Sequence, residues 1–135
     1  MDLAEELLQR PLNEKEKRAL EQTRLARELV LAASQLGADQ KHSRSLAHLL
    51  GLTFEHWRDA RTHLDRMGMT KISIVTGRDD LTEKGVAHAE EVFAAEDTVA
   101  PMLFEMLSAA KDLDDRLKTV GRGILEQRNL VEPLQ

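Results

Sequence analysis

The sequence holds no cysteine and no tyrosine, one tryptophan, three phenylalanines and three prolines in 135 residues. Without cysteine there is no disulfide framework, no thiolate metal site and no cysteine nucleophile, a usage that suits a reducing compartment. Aromatics at 3% leave leucine, alanine, valine and methionine to build the core, and a core of those residues favours helices over sheets. No apolar run is long enough to cross a bilayer, and the opening MDLAEELLQRPL carries acids where a signal peptide carries positive charge. The expectation is a cytoplasmic protein with no membrane contact. A P-loop, a GxSxG elbow and a glycine-rich dinucleotide turn are also missing, so neither catalysis nor a cofactor is expected.

What is present is an ordinary globular balance, 41% hydrophobic and 32% charged, in a chain that fits one domain over residues 1–135. The net charge of −5 is unevenly spread. Residues 1–37 carry six basic and seven acidic side chains, residues 38–88 eight and seven, and residues 89–135 five and ten. All five histidines fall in the middle segment, the least acidic of the three. That segment is no basic patch, which weighs against nucleic acid as a partner.

Punctuation divides the chain. Met1 to Arg10 can form a short helix that stops before Pro11. Asn13 is an N-cap candidate for a long helix to Leu36, with Gly37 just beyond its end. Leu20, Ala26, Leu29, Val30, Ala33 and Leu36 give that helix one apolar stripe. After a polar ADQKH loop, Ser43 or Ser45 can start a second helix that buries Leu46, Ala47, Leu49 and Leu50. Gly51 suits a tight turn, and Thr53 can cap a third helix with Trp57, Ala60, Leu64 and Met67 on one face and Gly68 at its end. Ile72 and Ile74 alternate with Lys71 and Ser73, as in a half-buried strand. TGRDD reads as a turn, Leu81 as part of a return strand, and Thr82 as the cap of a helix through Gly85, Val86, Ala89 and Val92.

Gly68, the ribbon after it and the LTEKG of residues 81–85 resemble the MarR-type winged helix-turn-helix regulators, over roughly residues 43–93. The resemblance implies a mainly α fold, a winged helix-turn-helix with a small β-hairpin wing and N- and C-terminal dimerisation helices. It divides the chain into N-terminal helices over 1–37, the winged unit over 38–93 and a C-terminal helix over 97–130.

The last segment has its own pattern. Asp97 or Thr98 can cap a helix with Pro101 in its first turn. Val99, Leu103, Met106, Ala110, Leu113, Leu117, Val120 and Ile124 then step by fours and threes, a heptad seam that needs a partner helix. That partner is either the chain's own N-terminal region or a second copy. The resemblance tilts the expectation to a homodimer.

On the third helix, Glu55, His56, Arg58, Arg61 and Thr62 face away from the stripe and, with Thr53 at the start, form a candidate surface for the major groove. Ser43 and Arg44 are placed to hold a phosphate, and Lys71 and Arg78 to reach the backbone from the wing. Trp57 belongs to the inward stripe. His63 with Asp59, four residues apart, invites a metal reading, but no HExxH or comparable ligand spacing supports it, and no metal is expected. The expected function is sequence-specific binding of double-stranded DNA by a dimeric transcriptional regulator. The alternative is a winged-helix protein-interaction module without affinity for DNA. The sequence names no small-molecule effector.

Overall fold

The computed structural model describes Glu5 and residues 9–73, 75–109 and 114–127, which hold six helices and one two-stranded antiparallel hairpin. The short helix expected over Met1–Arg10 falls almost wholly outside them. The long helix α1, Glu14–Leu36, starts and stops where its caps dictate. Asn13 accepts the amide of Glu16 at 2.9 Å, and Glu16 accepts the amide of Asn13 at 3.2 Å, a reciprocal capping box. Gly37 closes the helix in the left-handed region at φ 63°. The single stripe expected on α1 is too narrow a description. Leu20 is exposed, whereas from Leu25 to Ser34 every residue except Arg27 is buried. Helices, hairpin and C-terminal region cover that half of α1 from several sides, so apart from Arg27 and Glu28 it reads as apolar or small around its circumference.

Helix α2, Gln40–Leu49, begins three residues before the expected Ser43. Asp39 is the cap: its carboxylate accepts the amide of His42 at 2.9 Å, which draws residues 40–42 of the expected loop into the first turn. Gly51, at φ 72°, makes the turn to α3, Phe54–Arg66, whose cap is Thr53. Trp57, Ala60 and Leu64 are buried as their spacing requires. Met67, expected to complete that stripe, is instead the exposed C-cap residue.

Strands β1, Thr70–Ile72, and β2, Asp79–Leu81, pair in the register Thr70↔Leu81, Lys71↔Asp80 and Ile72↔Asp79. Thr70 is buried, but Ile72 is 57% exposed, because the ribbon runs past the edge of the core. The half-buried alternation expected here therefore ends after one residue; Ile74 lies outside the described residues. Asp79 and Asp80, expected in the turn, belong to β2.

Helix α4, Glu83–Ala94, explains the LTEKG pattern mechanically. Thr82 donates its hydroxyl to the Gly68 carbonyl at 2.6 Å and its amide to the Met69 carbonyl at 3.0 Å, and it accepts the amide of Gly85 at 3.1 Å. This pins the helix start onto the chain just before β1. A Cβ on Gly85 would overlap the Met69 carbonyl oxygen and lie 2.8 Å from its carbon. Only glycine permits that approach.

The C-terminal region departs most from expectation. One helix over 97–130 with a continuous seam is replaced by two, α5 (Ala100–Ala109) and α6 (Asp114–Gln127), which pack against each other and against α1 and α2. Thr98 accepts the amide of Ala100 at 3.1 Å, as a cap would. Val99, Leu103, Met106 and Ile124 are all buried in the chain's own core. These four are therefore not a free dimerisation seam. Val120 is 38% exposed, and Ala110, Leu113 and the Leu117 side chain lie outside what is described. Buried Glu28 of α1 anchors this region, accepting the amide of Val99 at 3.2 Å while Arg24 lies 3.6 Å from its other oxygen. Among the described residues no helix is long and apolar enough to cross a membrane.

Gly85→Ala is expected to destabilise the protein by about 2–3 kcal/mol, the cost of forcing backbone apart in a packed site. Thermal or denaturant unfolding measures it. A variant within about 0.5 kcal/mol of the parent, the ordinary scatter of surface substitutions, would mean that α4 slides off Met69 without penalty.

Candidate nucleic-acid interface

The hairpin is tied to α2 and to α3, and the residues of these elements divide by what already holds them. Ser43, expected at a phosphate, is buried, and its hydroxyl donates to the Asp39 carbonyl at 3.3 Å. The α2 N-terminus where a phosphate would sit is filled by the Asp39 carboxylate. The amide of His42, and then its ring at 2.7 Å, hold the Asp39 carboxyl below its ordinary range. The expected phosphate seat is thus closed at its amide end. Arg44 remains exposed, its guanidinium carbon 5.7 Å from the ring centroids of both Phe54 and Trp57.

On α3, Thr53 and His56 serve the helix start. Thr53 accepts the amide of His56 at 3.1 Å, and the ring Nδ1 of His56 accepts the amide of Thr53 at 3.2 Å. Arg61, the leading candidate for a base contact, is placed differently from expectation. Its Nε and Nη2 donate to the two carboxylate oxygens of Asp79 at 2.6 and 2.7 Å, and its guanidinium carbon lies 4.7 Å from the Trp57 ring centroid. The side chains of this pair are 18% and 15% exposed. A forked, stacked and neutralised arginine holds the hairpin to the helix instead of reaching outward. Asp79 carried no expectation of this kind. The pairing spans 18 residues, and no local spacing rule connects an acid in a turn-like GRDD to that arginine.

A second tie joins hairpin and helices. Gln40 donates its amide to the Gly77 carbonyl at 2.7 Å, and Arg44 donates to the side-chain oxygen of Gln40 at 3.3 Å. The turn of the hairpin is thus fastened to the start of α2 while its return strand is fastened to α3. Glu55, Arg58, Thr62, Lys71 and Arg78 remain exposed. Arg58 lies 3.5 Å from Asp59, and Thr62 donates its hydroxyl back to the Arg58 carbonyl at 3.0 Å. Arg66, which sequence reasoning passed over, joins them as an exposed cation in the last turn of the helix. No group of three metal-ligating side chains forms among the described residues.

Two outcomes follow from these contacts. Arg61→Ala should cost about 2 kcal/mol, since it strands a shielded carboxylate, and a double-mutant cycle with Asp79→Ala should show a coupling of about 1–2 kcal/mol. Additive losses would mean that the pair does not hold the hairpin. The lowered pKa of Asp39 adds stability that is complete above the ordinary carboxylate value of 3.8 and is lost as the pH falls below it towards the folded value. The stability difference between the parent and Asp39→Asn should accordingly narrow with acidification through that window; a constant difference would assign the effect to the cap's shape alone. Comparison of the chain with protein-family models, curated proteins and solved structures returns no match.

Proposed function

We propose that this chain is a winged helix-turn-helix protein that binds duplex DNA, with α3 as the recognition helix and the β1–β2 hairpin as the wing, in the service of transcription regulation. The observation that carries the reading is the double fastening of the hairpin, Asp79 to Arg61 and Gly77 to Gln40, which fixes helix and ribbon as one preset surface. A surface set before binding loses little freedom on docking to a regular groove. Arg58, Thr62 and Arg66 would face the groove, with Lys71 and Arg78 against the phosphates. Arg61, forked onto Asp79, acts as the support that orients these contacts and makes no base contact itself.

A second reading, a winged-helix module that binds another protein, is favoured by two features of the same surface. Glu55, Asp59 and Asp65 oppose Arg58 and Arg66 along α3. Phe54 is 56% exposed beside Arg44, the aromatic-and-arginine pairing that protein interfaces favour. A regulator that reads two half-sites works as a symmetric pair. Such a pair would use surfaces other than the buried Val99, Leu103, Met106 and Ile124.

Fluorescence anisotropy on labelled genomic fragments at low and moderate salt tests the choice. DNA binding predicts affinity that falls with salt and a loss of about 1–3 kcal/mol in Arg58→Ala, the worth of a good base contact. No binding at low salt would overturn the DNA reading in favour of the interaction module.

A further inference from the structure

A groove of about 230 Å³ opens between α2 and the first turn of α3, at residues that the DNA contacts named above leave unused. Ala47, Leu52 and Trp57, all buried, form its floor, and the exposed Arg44, His48 and Phe54 stand around its mouth. The lining thus joins an apolar interior to two nitrogen-bearing side chains and contains no carboxylate. The His48 ring makes no hydrogen bond or ion pair with any described residue. Arg44 lies beside the Phe54 and Trp57 rings, and among the described residues its hydrogen-bond partner is the Gln40 side chain at 3.3 Å. That same Gln40 donates to the Gly77 carbonyl at 2.7 Å, so the cation at the mouth belongs to the frame that fixes the hairpin. Phe54 is the first residue of α3, and the start of a recognition helix is where base edges are met.

In the major groove a base pair offers one apolar group, the C5-methyl of a pyrimidine, and a guanine edge offers two acceptors, O6 and N7. An exposed aromatic ring over a small apolar recess, next to an arginine with no acid to neutralise it, matches both. We propose that Phe54 and Arg44 read a C5-methylated pyrimidine followed by guanine on one strand of duplex DNA, as TpG or 5-methyl-CpG. The methyl group, of thymine or of 5-methylcytosine, enters the groove against the Phe54 ring. Arg44 donates two N–H groups to O6 and N7 of the guanine, and its place beside two rings limits the freedom it loses in doing so. The inference rests on the DNA reading above and adds what the start of α3 recognises there. Its consequence is regulatory: methylation of a CpG cytosine in the bound site strengthens binding.

The test starts from a pool of random-sequence duplexes, bound to the full chain at low salt, recovered and sequenced. The recovered sequences are expected to share a TpG or CpG step. One such duplex is remade with uracil in place of the thymine, another with 5-methylcytosine in place of the CpG cytosine, and affinities are read by fluorescence anisotropy. The methyl group is expected to tighten binding about fourfold in at least one of the two pairs, the worth of one buried methyl. The pair that responds names its source. Phe54→Ala should erase that difference and keep the remaining affinity. Arg44→Gln, a second exposed variant, should lose about tenfold and become indifferent to 7-deazaguanine at the step, which lacks the N7 acceptor. Recovered sequences without such a step, equal affinity with and without the methyl in both pairs, or a methyl effect that survives in Phe54→Ala would overturn the inference and leave DNA binding standing. No binding to any duplex would overturn the inference and the DNA reading together, and would return Phe54 and Arg44 to a protein partner.

Discussion

The fold depends on covering the second half of α1. From Leu25 to Ser34 this helix is enclosed by helices and hairpin together, and a helix enclosed on several sides has no solvent face on which to put charge. Ala26, Ala32 and Ala33 let neighbours approach closely, while Leu25, Leu29, Val30 and Leu31 fill the spaces between them. Glu28 is the exception that organises the rest. Its carboxylate is buried, and it is tolerable there because the Val99 amide and the Arg24 guanidinium answer it. That contact sets where the C-terminal region begins its descent along α1. It adds to the apolar packing that makes α5 an intrachain partner of α1.

From this spine the surface units take their positions. Helices α2 and α3 pack on α1, with Leu46, Ala47, Ala60 and Leu64 in the shared core, and the hairpin is hung from both helices by side chains. Trp57 sits among them, with the guanidinium carbons of Arg61 and Arg44 at 4.7 and 5.7 Å from its ring centroid. The only tryptophan of the chain thus serves the core and organises two cations beside it.

How much of this was legible depends on how local each determinant is. Asn13, Gly37, Gly51, Thr53 and Thr82 announce themselves because a cap or a positive φ is decided within a few residues, and each stands where its chemistry implies. Asp39 is not legible as the cap because two serines downstream offer an equally good local signal. The heptad spacing from Val99 to Ile124 was real, but periodicity states only that a face will be buried and is silent on what buries it. The expected site was readable as a surface and unreadable in its details. Arg61 has the spacing of an exposed residue on the flank of α3, and only the return of β2 with Asp79 turns it inward.

The hairpin carries a consequence for behaviour in concentrated solution. Both strands of a two-stranded ribbon are edges, and this one shows Ile72 at 57% exposure and Val75 at 93%. Such a crest invites chain-to-chain strand pairing. Three-residue strands with Lys71 facing Asp80, and Asp79 already committed to Arg61, make a poor template for it. The acids of the hairpin thereby act as gatekeepers against aggregation.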